Sequence, residues 1–124
     1  MTQVLDASAV LAVLRNEPGA ANVDLEGALV STVNWTEVAQ RLAPRGIEVR
    51  ALTARAVASG LIVVPFDLDQ AERAAALFAL TRAAGLSLGD RACLALGQVA
   101  EAVVVTADRA WADLDVGVDV MLVR

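Results

Sequence analysis

Four acidic residues lie where carboxylates could act together: Asp6, Glu37, Asp90 and Asp108. Asp6 ends the apolar run Val4-Leu5, and Asp108 follows Val103-Val104-Val105-Thr106 closely. Glu37 falls in the first turns of a helical pattern, and Asp90 opens a nearly all-apolar one. Each has a plain structural alternative. Ser87 with Asp90 has the spacing of a capping box, Asn34 could cap a helix ahead of Glu37, and Asp108 could cap the turn after it. Glu37 could also pair with Arg41 one turn on, for about 0.3–0.5 kcal/mol. Gathered near an apolar interior, however, the four would repel one another and lose hydration, and something must compensate. The chain has ten basic residues, all arginine, with no lysine and no histidine. Arginine or a divalent cation remains, and Mg²⁺ or Mn²⁺ suits an all-oxygen donor set.

The same absences narrow the chemistry. Without histidine there is no Ser–His–Asp triad, no paired-imidazole route and no His–Cys zinc site. Without lysine there is no Walker A loop. A phosphoacceptor signalling domain, also α/β with acids at strand ends, lacks the lysine that would balance its phosphoryl charge. The lone Cys93 lies in an apolar segment and is expected to be a buried structural thiol. The net charge of −5 disfavours nucleic-acid binding by global attraction, so any RNA contact needs local arginines, a cation or a basic partner.

Strands alternating with helices must position these acids. The pattern predicts strands at Val4–Leu5, Ala28–Ser31, Leu61–Val64, Ala102–Val105 and Val118–Leu122. Helices are predicted over Ala7–Arg15, from Pro18 towards Glu26, and over Val33–Leu42, Glu48–Ala58, Leu68–Ala84, Ser87–Gln98 and Asp108–Asp113. This order specifies an α/β fold, a mostly parallel sheet of about five strands flanked by helices, in one domain over residues 1–124. In such sheets ligands bind outside the carboxyl ends of the strands, where three of the four acids fall. An apolar fraction of 57 % fits a packed core rather than disorder. No apolar run approaches the roughly 20 residues of a membrane span, and the first residues do not resemble a signal peptide, so a cytoplasmic location is expected.

Four segments, Val4-Leu5-Asp6-Ala7-Ser8-Ala9, Asn34-Trp35-Thr36-Glu37-Val38, Leu86-Ser87-Leu88-Gly89-Asp90-Arg91-Ala92 and Thr106-Ala107-Asp108-Arg109-Ala110-Trp111, together resemble the motifs of PIN domains. In order and spacing they are similar to VapC toxins of bacterial toxin–antitoxin pairs, over essentially the whole chain. The resemblance implies a metal-dependent endoribonuclease acting on tRNA or rRNA. It implies an acidic site of Asp6, Glu37, Asp90 and Asp108, with Asp6, Asp90 and Asp108 the first choices for holding Mg²⁺ or Mn²⁺ and Glu37 ligating or orienting water. Ser8 and Thr106 match positions that support the acids. Asp113 and Asp115 lie where some members place a further acid. A VapB-type antitoxin and a homodimer, in a heterotetramer or larger assembly, are implied partners. Leu11, Leu14 and the alanine-rich helices are candidate dimer surfaces, and Arg41, Arg45, Arg50 and Arg55 a candidate phosphate-binding strip. A non-catalytic interaction module on the same fold, and a nuclease for structured DNA, are the alternatives.

Overall fold

The computed structural model describes residues 2–124. Five short strands form one sheet: β1 (Gln3–Leu5), β2 (Leu29–Ser31), β3 (Ile62–Val64), β4 (Val103–Thr106) and β5 (Val120–Leu122). Their order is β3-β2-β1-β4-β5 and every pairing is parallel. Six helices connect them: α1 (Ala7–Leu14), α2 (Thr32–Leu42), α3 (Val49–Ala58), α4 (Leu68–Ala76), α5 (Phe78–Thr81) and α6 (Leu88–Ala100). The parallel α/β architecture expected from the sequence is therefore present.

Two layers of apolar side chains cover the sheet. Leu5, Val30 and Val105 point into one, with Val10, Trp35 and Val38 from the helices above. Val4 and Val104 point into the other, against Cys93, Leu94, Leu96 and the fully buried Trp111. Adjacent residues of one strand feed opposite layers, as the two-residue period of a strand requires. The apolar α6 earns its composition here, since it packs against β1, β2, β4, α2 and α4. It lies so close to β4 that a Cβ on Gly97 would stand 2.5 Å from Val104 Cγ2. Gly97→Ala is expected to cost about 1–3 kcal/mol through overpacking, read by urea unfolding.

Three predicted helices need correction, the shortest of them, Asp108–Asp113, being only a 3-10 turn at Arg109–Trp111. The stretch from Pro18 towards Glu26 contains only a 3-10 turn at Ala20–Asn22. Gly19 adopts a left-handed conformation (φ 91°), and a Cβ there would overlap the Val123 carbonyl. Asn22 Nδ2 donates to that same carbonyl, so the segment is shaped by the chain end it covers. The predicted Leu68–Ala84 helix is interrupted at Leu77 and closes in a 3-10 turn over Arg82–Ala84. Thr81 Oγ1 donates back to the Leu77 carbonyl, a bond that bends helices.

From β1 the chain passes through α1 to β2 and on to β3 on one side, then returns from β3 through α4, α5 and α6 to β4 on the other side of β1. The point where the strand order reverses thus lies between β1 and β4. That is where this class of sheet opens a crevice at the carboxyl ends of its strands. Among the described residues, no helix is long and apolar enough to cross a membrane.

Candidate active site

Asp6 leaves β1 directly into α1 and serves as its N-cap, Oδ1 accepting from the Ala9 amide at 2.8 Å. Ser8 Oγ donates to the same oxygen at 2.7 Å, and Thr106 Oγ1 donates to Oδ2. Each hydroxyl is held in turn: Ser8 accepts from the Ala107 amide at 2.9 Å and Thr106 from the Asp108 amide at 3.0 Å. The end of β1 and the loop after β4 are thereby tied together across the reversal point. The supporting roles expected of Ser8 and Thr106 match this geometry. Asp6 is only 5 % exposed. Burial pushes its carboxyl above the usual range, the three donors pull it back in part, and the Asp90 charge raises it further.

Asp108 follows β4, is exposed, and accepts from the Ala110 amide at 2.9 Å. Asp90 stands in the first turn of α6 and completes a reciprocal capping box with Ser87. Its presence at this edge follows from topology. A helix leading into a parallel strand runs against it, so its N-terminus lies at the strands' carboxyl edge. Glu37 projects from α2, which is capped by Ser31 rather than Asn34. Asn34 lies inside the helix, and its Nδ2 donates to Glu37 Oε1 at 2.9 Å and to the Gly89 carbonyl at 3.0 Å. The Glu37 carboxylate rests on Gly89, where a Cβ would lie 2.7 Å from both oxygens. Asn34 and Gly89 thus seat the Glu37 carboxylate, a contact that sequence reasoning missed. The signal available was a polar residue one turn before Glu37 and a glycine where a helix former would be preferred.

Asp6, Glu37, Asp90 and Asp108 all line one cleft of about 340 Å³, with Ser8, Leu11, Arg15, Glu17 and Arg41. The capping roles and the shared cleft coexist, because a cap uses part of a carboxylate and leaves the rest. Glu37, Asp90 and Asp108 each retain one oxygen without a protein donor among the described residues. Helix N-termini beneath Asp6 and Asp90 offset part of the mutual repulsion. No arginine forms an ion pair with any of the four among the described residues, and the Glu37–Arg41 pair is not made. Below the cleft, burial and then the charges of Asp6, Asp90 and Glu37 push the Cys93 thiol up, consistent with an inert structural cysteine.

The donor set is all oxygen and unneutralised, which fits a hard dication. As the side chains stand, no three acids or thiols among the described residues converge on one ion position. An ion held here would touch one or two carboxylates and keep several waters.

Other expected positions divide. Asp115 lines a different cleft, with Thr2, Glu101 and Asp119, at the opposite edge of the sheet. Asp113 is exposed and lines neither cleft. The four-arginine strip is split: Arg41 lines the acidic cleft, Arg45 and Arg55 line a neighbouring groove between α1 and α3, and Arg50 lines neither. Arg15 lines both. Leu11 is 6 % exposed and belongs to the core, so it offers no dimer surface, and Leu14 packs against that core. Large exposed apolar side chains include Leu68 and Leu80, on the alanine-rich stretch that the sequence also offered, and Leu88.

A family model described as the PIN domain matches residues 4–117. The chain belongs to the PIN domain family. This PIN domain is also similar in structure to a toxin–antitoxin complex from Klebsiella pneumoniae, at 18 % identity and a TM-score of 0.75, covering 98 % of each chain. A DNA-bound VapBC from Salmonella typhimurium matches at 18 % identity and a TM-score of 0.76, with 100 % of this chain and 99 % of that one covered. VapC20 of Mycobacterium tuberculosis, a sarcin–ricin loop cleaving toxin, matches at 17 % identity and a TM-score of 0.64, covering 82 % and 86 %. No curated protein sequence matches the chain.

Proposed function

We propose that this PIN domain is a Mg²⁺- or Mn²⁺-dependent endoribonuclease, the toxin of a VapC-type pair. One observation carries the proposal: four carboxylates from four separate segments line a single cleft, and among the described residues no cation pairs with any of them. Capping accounts for part of each of three carboxylates but does not require all four to face one cleft, and burial of Asp6 costs its charged form. A bound dication would relieve the repulsion, lower the pKa of a water and neutralise charge developing on a phosphoryl group.

The chain's own residues have distinct tasks. Asp6, fixed by Ser8, Thr106 and the Ala9 amide, presents a carboxylate of set orientation at the floor. Asp90 and Asp108 offer their remaining oxygens from the rim. Glu37, held on α6, is placed to ligate or to orient a water. Arg41 and Arg15 are the cations lining the cleft, and Arg15, Arg45 and Arg55 continue along the adjoining groove. They give an acidic protein a local track for phosphates. The chain has no tyrosine, and both tryptophans are buried, so base stacking on Tyr or Trp is not offered. tRNA or rRNA is the substrate class implied by the family.

The complexes among the structural neighbours support an antitoxin partner of VapB type. An arginine from such a partner entering the cleft would make charge-assisted bonds to the free carboxylate oxygens and displace a cation. Purified protein, without antitoxin, is expected to cut single-stranded RNA with Mg²⁺ or Mn²⁺ and to stop on addition of EDTA. Binding of RNA without any cut, across tRNA and rRNA substrates, would instead favour the non-catalytic module. Preferential cutting of structured DNA would favour the DNA nuclease.

A further inference from the structure

We propose that Asn34 is a positioning residue, whose side-chain amide clamps the Glu37 carboxylate onto the first turn of α6 and so fixes it in the acidic cleft. This rests on the reading above, that the cleft holds a dication. Asn34 is 1 % exposed. Its two amide protons are both used, on Glu37 Oε1 at 2.9 Å and on the Gly89 carbonyl at 3.0 Å. Both partners are acceptors, so the orientation of the amide is dictated: reversing it would set oxygen against oxygen twice.

The price of that orientation is visible, since Asn34 Oδ1 is buried without a partner. A residue serving packing alone would be apolar here, and one serving only to cap would stand at the helix start, where Ser31 does that work. Glu37 needs a restraint because its long side chain has an alternative. Arg41 lies one turn further along α2 and lines the same cleft, at the spacing that favours a Glu–Arg pair. That pair is not made. Asn34, one turn behind, pulls Glu37 the other way, towards Asp90. Gly89 completes the seat by having no side chain where the carboxylate rests. The clamp also joins α2 to α6, so the spacing of Glu37 and Asp90 is set by one buried amide.

The test is calorimetric titration of Mn²⁺ into wild type, Asn34→Asp, Asn34→Ala, Glu37→Ala and the Asn34→Ala/Glu37→Ala double variant. Asn34→Asp keeps the shape and removes both donors, and it is expected to weaken Mn²⁺ binding roughly 10–100-fold, as loss of an orienting partner does. Asn34→Ala should weaken it in the wild-type background and change it less than about twofold once Glu37 is gone, because the effect passes through that carboxylate. An equal loss in both backgrounds would mark Asn34 as merely structural and overturn the proposal. So would wild-type affinity in the Asn34 variants beside a weakened Glu37→Ala.

A second measurement needs no Asn34 variant. In wild-type NMR spectra the Asn34 side-chain amide should exchange slowly with solvent, and its resonances should move with Glu37→Ala. A fast-exchanging amide indifferent to Glu37→Ala overturns the clamp. If wild type takes up no Mn²⁺, the functional reading falls by itself, and these spectra still decide whether Asn34 holds Glu37.

Discussion

Asp6→Asn is expected to lower RNA cleavage by roughly 10³-fold or more, about 4 kcal/mol in the barrier, while making the metal-free protein relatively more stable at neutral pH. The activity loss follows from removing the best-fixed carboxylate of the cleft. The stability change follows from linkage. Burial raises the carboxyl of Asp6 in the native state, so the native protein holds that proton more tightly than the unfolded chain does. Below the ordinary carboxylate range both states are protonated and nothing is lost. As pH rises from there through the raised native value, the unfolded state releases its proton first and stability falls. Asparagine has no proton to lose. The melting-temperature difference, variant minus wild type, should therefore be greater at pH 7 than at pH 3, with EDTA present throughout. A difference that is the same at both values would contradict this account of Asp6.

Gly89→Ala is expected to leave stability near that of wild type and to cut activity roughly 10–100-fold, the range for loss of an orienting contact. Gly89 lies in the first turn of α6 and has no left-handed backbone to protect, so alanine should gain part of the roughly 1 kcal/mol of helix propensity that separates it from glycine in a helix interior. Against that gain stands one clash, between the new methyl and the two Glu37 oxygens at 2.7 Å. The group that must yield is the tip of a flexible side chain, so the fold absorbs it and the site does not. Kinetics on an RNA substrate, beside thermal melts, separate the two effects. Activity within twofold of wild type at an unchanged melting temperature would mean that the seat of Glu37 does not matter.

The contrast between these two residues also shows what the sequence could reveal. Asp6 and Asp108 were legible because each ends or closely follows an apolar run, and strand ends are where this fold class places its ligands. Asp90 sits on a helix that follows no strand directly, and only the direction of α6 relative to β4 brings it to the same edge. Gly89 and Asn34 act on a side chain from another helix, and one-dimensional spacing carries no record of that contact. Asn34 was open to misreading as a cap because the helix starts earlier, behind Ser31.

The arginine strip was legible only in part. Arg41 lines the acidic cleft and Arg45 and Arg55 share the adjoining groove across the left-handed Gly46, while Arg50 lines neither, a division that helical spacing does not record. Leu11 shows the limit of an apolar pattern, which marks a buried face without saying whether the same chain or a partner buries it. Pro18 signalled a helix start, but the approach of Gly19 to Val123 is a tertiary constraint and it prevailed.

On the proposed function, the four carboxylates, which no arginine pairs among the described residues, share one cleft because they capture a divalent cation. Titrating Mn²⁺ into the wild-type protein at pH 7, followed by calorimetry, tests it with no assumption about substrate. The account predicts saturable uptake that Mg²⁺ competes away and that Asp6→Asn weakens by at least tenfold. Heats no greater than dilution up to millimolar Mn²⁺, from a protein shown to be folded, would contradict it.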